Sequence, residues 1–448
     1  MHLKNYFQLL VLVSLCFFGS CQKDSTVESV QDENLKALLT EGDNDLSSFT
    51  LPLSTDFANI PSDPKNPITK EKVALGQLLF HETGIALKPA NPISKGNFSC
   101  ASCHFASAGF QAGRFQGIAE GGIGFGNNGE GRIKGSLYPD HMLDVQPIRS
   151  PSALNIAYQT NVLWNGQFGA TGVNTGTEAA WKEGTPIATN FLGYEGTEIQ
   201  AIAGLSVHRM SADVNFMEEK KYIEYFIKSF PEDTFPEDCD LEHMGLAVAA
   251  YERTLLANKA PFQEWLKGNS NAMTEKQKEG AIVFFGKGQC STCHNGPSLA
   301  SMEFHALGMK DLYQINELTF KTNPDNNENK GRGGFTGKKE DMFRFKVPQL
   351  YNLKDSPFYG HGSSFRSVRE VIEYKNKGIK ENNNVPDSAL SPSFTAKGLT
   401  DGEIDALVEF IEEALYDPDL KRYEPTSILS GNCFPFNDPM ARNHLGCD

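Results

Sequence analysis

Apolar residues recur at helical spacing in five stretches of the 448-residue chain, with long Gly- and Asn-rich loops filling the remainder. Two stretches are alike. KEKVALGQLLF over 70–80 and EKQKEGAIVFF over 275–285 each place a glycine four residues before a phenylalanine, Gly76 before Phe80 and Gly280 before Phe284. Both predict short amphipathic helices within an internal repeat. Each repeat also ends in helical sequence. One closing stretch runs from Leu241 to Leu256, with Met244, Val248, Tyr251 and Leu255 on one stripe. The other opens with a capping box, Thr400 and Glu403, and sets Ile404, Leu407, Val408, Ile411 and Leu415 on one face. A fifth helix starts at the capping box of Ser367 and Glu370 and carries Val368, Val371, Ile372 and Lys375 at i, i+3, i+4, i+7 spacing. The fold expected is mainly α.

A different apolar run, Phe7 to Phe18, follows Lys4 and precedes Gly19, Ser20 and Cys21. Its 12 residues are too few to span a bilayer and suit a signal-peptide core. Small-small-Cys resembles the lipobox of bacterial lipoproteins, which makes residues 1–20 a lipoprotein signal peptide and Cys21 the lipidated first residue. An ordinary secretory peptide cut nearby is the alternative. Both place the mature protein outside the cytoplasm, as a periplasmic or cell-surface protein, anchored to a membrane leaflet if Cys21 is acylated. Residues 21–60 are polar and acidic, and read as a tether.

Charge narrows the partners. With 41 basic and 56 acidic residues the net charge is -15, which argues against phosphate backbones and anionic lipid surfaces. Nucleic acid is not an expected partner, and contact with a membrane is expected only through the lipid anchor.

Cysteine spacing supplies the chemistry. Of nine Cys, four form two copies of one pattern: Cys100, Ala101, Ser102, Cys103, His104, and Cys290, Ser291, Thr292, Cys293, His294. C-x-x-C-H is the attachment motif for c-type haem. Two thiols one turn apart reach the two vinyl groups of one porphyrin edge, and the adjacent His ligates the iron. No further Cys or His at matching spacing accompanies either copy, as a zinc site would require. Helix, motif, long loop and closing helix is the plan of a small class I cytochrome c. The chain reads as two such domains, 61–268 and 269–425, followed by a tail, 426–448. Cys433 and Cys447 in that tail are expected to form a disulfide, which leaves Cys239 unpaired. The GxGxxG over 124–129 has no preceding strand or following helix, so it reads as a loop rather than a nucleotide site.

Two such motifs, together with RSPSALN (149–155), LWNGQ (163–167), FRFKVPQLYN (343–352) and SPFYGHG (356–362), resemble the bacterial di-haem cytochrome c peroxidases and their MauG-like relatives. The resemblance implies two covalent haems, with His104 and His294 as proximal ligands. It implies a peroxidatic haem in the first domain, an electron-receiving haem in the second, and reduction of hydrogen peroxide by electrons from a small redox protein such as a cytochrome c. Given the acidic chain, that donor is expected to be basic or neutral. The alternatives are a MauG-like oxidase that modifies a partner and a non-catalytic electron carrier. A homodimer is left open.

By position, His141 matches the family's displaceable distal His, or is a plain surface residue. Trp164 matches the Trp between the haems, or is a core Trp. Gln200 and Ala201 match the family's Gln-Ala, but Met210 stands where a catalytic Glu is usual. His208 and Arg209 just before it carry a base and a positive charge, the two functions O–O cleavage needs; a structural salt bridge is the alternative. For the distal ligand of the second haem, Lys375 occupies the position of the family's Met or Tyr, with Tyr374 and Met342 as competitors. Arg149 stands where an Asn often helps bind calcium, so calcium is left open, with Asp355 as the expected partner of Arg149.

Overall fold

The computed structural model describes residues 28–447; the signal peptide and Cys21 lie outside them. The helices that position the site are α1 (Val30–Leu39), α2 (Lys70–His81), α3 (Gly196–Val207), α4 (Leu241–Arg253), α5 (Glu275–Phe285), α6 (Val368–Lys377) and α7 (Asp401–Glu409). Strand is confined, among the described residues, to two antiparallel ribbons, Gly122–Ile123 with Ile133–Lys134 and Phe304–His305 with Phe345–Lys346. The fold is mainly α and cytochrome c-like. No helix among the described residues is long and apolar enough to cross a membrane.

The repeated glycines explain how each domain closes. Helix α2 packs across α4, and α5 across α7. A Cβ on Gly76 would lie 1.9 Å from the Ala247 carbonyl oxygen and 2.9 Å from Tyr251 Cβ. A Cβ on Gly280 would lie 1.9 Å from the Ala406 oxygen and 2.8 Å from Phe410 Cβ. Both pairs therefore touch backbone to backbone at the same step of the repeat. Phe80 and Phe284, one turn on, are buried within the crossings. The capping box at Thr400 forms as its sequence predicts, a further one forms at Thr274, and α7 continues through a π turn, Phe410–Ala414. Ser367 caps α6 through its side chain.

The chain read as a tether over 21–60 is, from Val30 on, folded structure. Leu35 and Leu39 on α1 are fully buried and the helix packs on α5. Asp32 accepts from Trp265 Nε1 at 2.6 Å and pairs with Lys278 Nζ at 2.9 Å. Further on, Leu51 N–H donates to Gln263. Polar composition misleads because residues of this segment meet partners more than 200 positions away.

The tail also folds back, onto the first domain. Cys433 and Cys447 are disulfide-bonded and Cys239 is a buried free thiol, as expected. Phe436 bridges to Phe98, and Asp438 forms a buried ion pair with Arg132 at 2.9 Å. The GxGxxG loop is held by the same tail: Phe125 and Gly126 N–H both donate to His444 Nδ1 at 3.0 Å.

Gly76→Ala and Gly280→Ala should each lower stability by about 1–3 kcal/mol, the range for overpacking a tight contact. Gly402→Ala, on α7 with nothing within 4 Å of the new methyl, should instead be neutral or stabilise by up to about 1 kcal/mol. Denaturant midpoints check this, and equal midpoints for the three variants would contradict the crossing argument.

Candidate functional site

Each C-x-x-C-H segment forms one tight turn, Cys100–Ser102 and Cys290–Thr292, closed by Cys103 N–H to Cys100 O and Cys293 N–H to Cys290 O, both 3.2 Å. The histidine after each turn is tied by its Nδ1. His104 Nδ1 lies 3.2 Å from Phe110 O, and His294 Nδ1 lies 3.1 Å from both Leu299 O and Pro348 O. A Nδ1–H held by carbonyls fixes ring and tautomer and leaves Nε2 as the free donor atom. Burial keeps both rings neutral, lowering His104 to about 4 and His294 to about 3. Burial also pushes the Cys103 thiol up to about 12 and Cys290 to about 11. Two thiols on one turn beside a neutral, oriented imidazole fit covalent haem at both sites.

One cavity joins the two sites. It runs from His104 and Gln200 past Trp164 and His361 to Cys290, Cys293 and His294. Trp164 donates from Nε1 to Arg149 O at 2.7 Å, and its ring meets His361 edge-on at 6.3 Å. His361 stacks on Phe345 at 3.6 Å and is held through Nε2 by buried Asp311 at 3.0 Å. Lys346, lowered to about 7 by burial, lines the same wall and hydrogen-bonds Gln159.

The other expected residues are placed unevenly. His208 and Arg209, just past α3, are each clamped by a buried carboxylate: His208 Nδ1 is 2.7 Å from Asp144, and Arg209 Nε bonds Glu120. Arg209 has φ +59°, a strained backbone state that non-glycine residues seldom hold without tertiary support. Burial alone would lower the His208 imidazole, but Asp144 outweighs it and the shift is upward. Asp144 is correspondingly lowered, because His208 and Arg209 outweigh its own burial. These two residues are not among those that line the cavity.

His141 sits exposed on the turn Asp140–Met142 and is likewise outside the cavity lining, so it is not brought to His104 here. Around the second site, Lys375 lines the cavity beside Cys290, Cys293 and His294, and burial lowers its ammonium. Its competitors are placed otherwise. Tyr374 OH donates to Leu307 O at 2.5 Å, and Met342 packs at Gly333, off the cavity. Arg149 is fully buried but does not pair with Asp355. It bonds Gln111 at 2.8 Å and Ser356 at 2.7 Å, while Asp355 accepts from Asn352. Asp355 is thus taken up by its own turn, and neutral oxygens satisfy the guanidinium.

Asp144, Glu120, His361, Asp311 and Lys346 escape sequence reasoning. Asp144 and Glu120 meet His208 and Arg209 across 64 and 89 positions, and no local pattern marks such pairs.

Residues 70–271 match the family described as di-haem cytochrome c peroxidase. The chain is 27% identical over 362 residues to the methylamine utilization protein MauG of Methylorubrum extorquens, covering 80% of this chain and 82% of that protein. It is 26% identical over 400 residues to the cytochrome-c peroxidase IdrP1 of a Pseudomonas species, covering 85% and 90%. Among solved structures, a MauG-like protein associated with microbial copper homeostasis aligns with a TM-score of 0.56 at 21% identity, over 83% of this chain and 95% of that one.

Proposed function

We propose that this chain, whose residues 70–271 match the di-haem cytochrome c peroxidase family, reduces hydrogen peroxide to water at the first haem site, with electrons received at the second from a small redox protein. The observation that carries this reading is the single cavity joining His104 to His294 with Trp164 between them. Haem bound at both sites supplies the iron and the stored electrons; the overall balance is one peroxide, two electrons and two protons to two waters.

The protein's part is orientation and proton transfer. Asp144 holds His208 through Nδ1, so Nε2 is the atom that takes a proton from the near peroxide oxygen and returns it to the leaving one. Arg209, fixed by Glu120, places a positive charge for the developing oxyanion. Gln200 lines the pocket and orients peroxide. Trp164, wedged against His361, carries electrons between the two sites. His141 is assigned the displaceable cap of the first site. His141 lies three residues before Asp144, the carboxylate that holds His208. Lys375 is assigned the distal ligand of the second haem, since a desolvated amine can be neutral and ligate iron. No calcium is assigned, because the Arg149 guanidinium fills that region.

We further assign Cys21 as the lipid anchor of a periplasm-facing or surface-facing protein. A MauG-like oxidation of a partner is the second reading, favoured by the departure from Met at Lys375. It would be preferred if the resting enzyme had an open first haem and gave a product derived from a protein.

Peroxide consumption with reduced cytochrome c as donor should appear or rise after one-electron pre-reduction. His208→Ala should lower kcat/KM at least about 100-fold, the scale of general acid–base catalysis; activity within twofold would overturn the role. His208 must be neutral to accept a proton, and its shift is upward. The rate should therefore rise with pH through a value above the ordinary histidine range, and Asp144→Asn should move that rise to lower pH. Lys375→Met should raise the potential of the second haem and change its low-spin spectrum; an unchanged spectrum would remove Lys375 from the iron.

A further inference from the structure

Glu252 is a buried carboxyl that the peroxide reaction, as derived above, does not use. It lies one residue from the end of α4, 4% exposed, and lines the cavity with His104 and Gln200. Its Oε2 is buried with no hydrogen-bond partner. The arginine beside it does not supply one. Arg253 spends its donors on Glu198 at 2.8 and 2.6 Å, on Glu195 at 3.0 Å and on Pro61 O at 3.0 Å. Glu198 is therefore paired with Arg253 through hydrogen bonds, whereas Glu252 Oε2 receives none.

The elements packed against α4 leave it so. On α2, Lys72 is bound to Asn66 at 2.9 Å and His81 is held neutral by burial. On α3, Glu198 adds a like charge, and Tyr251 on α4 itself donates to Tyr423 O. Glu424, near Tyr251, is another carboxyl raised by burial. Burial, and then Glu198, push Glu252 up to about 8 against the pull of Arg253. Its charge in turn acts on the Cys100 sulfur, to which the first haem attaches.

We propose that Glu252 takes up one proton for each electron that enters the first haem site and releases it on oxidation. The inference rests on the reading of Cys100, Cys103 and His104 as a covalent haem site. An electron delivered by the donor protein, or by a chemical mediator, removes one positive charge from that site. The nearby carboxylate, without a partner, then binds a proton from water at Oε2, and no bond to iron is made or broken. Electrons reach peroxide together with a proton held inside the protein.

The test is an optical redox titration of the holoprotein from pH 6 to 9, with two covalent haems first verified by mass. At pH values where Glu252 is ionised in the oxidised protein and protonated in the reduced one, one proton per electron gives a midpoint that falls by about 59 mV per tenfold drop in proton activity. In Glu252→Gln the pH slope of the first haem should drop to half or less with both haems retained, and Glu252→Asp should restore it. An unchanged slope in Glu252→Gln would overturn the proposal. If that variant loses its first haem, infrared redox-difference spectra of the unaltered protein decide: a carboxylic-acid band gained on reduction and shifted in deuterium oxide supports the proposal, and its absence overturns it. Haem missing from Cys100 and Cys103 in the unaltered protein would instead defeat the reading on which the inference rests.

Discussion

The contact at which a glycine lets two helices meet backbone to backbone governs this molecule, and it occurs twice. At Gly76 and at Gly280 the opening helix of a domain lies so close to the closing helix that a methyl group would fall 1.9 Å from a carbonyl oxygen. The opening helices end at His81 and Phe285, and the chain then reaches the C-x-x-C-H turns at Cys100 and Cys290. The long loops bring the Phe110, Leu299 and Pro348 carbonyls onto His104 and His294. A weak repeat in sequence thus becomes two cofactor sites of the same construction.

Segments carrying the two C-x-x-C-H motifs are tied to one another by hydrogen bonds. Arg149, from the first domain, bonds Ser356 in the second, and its backbone N–H donates to His361 O. Lys346 N–H donates to Trp164 O. Buried groups across this seam are satisfied by hydrogen bonds, which holds Trp164 in one place. The first site is uneven in its support: carboxylates hold His208 and Arg209, whereas Glu252 Oε2 is buried with no hydrogen-bond partner.

Much of this was legible from local pattern. The C-x-x-C-H turns, the helices flanking them, the capping box at Thr400 and the tail disulfide all depend on residues close in sequence or on stereotyped chemistry. What stayed hidden depends on distance. The segment from Val30 looked like a tether because the residues that bury Leu35 and satisfy Asp32 lie beyond position 260. Asp144 and Glu120 are ordinary acids in a loop until the fold sets them against His208 and Arg209. The partner of Arg149 was misplaced for a related reason: Asp355 is near in space but is consumed by Asn352 in its own turn.

The most direct test of the joined-site account is to mix the fully reduced holoprotein with one equivalent of hydrogen peroxide and follow visible absorbance in a stopped-flow instrument. If His104, Trp164 and His294 belong to one electron path, one peroxide draws one electron from each haem, and both reduced bands decay together in a single fast phase. Loss of one band while the other persists for minutes would show that the sites act separately and would contradict the account.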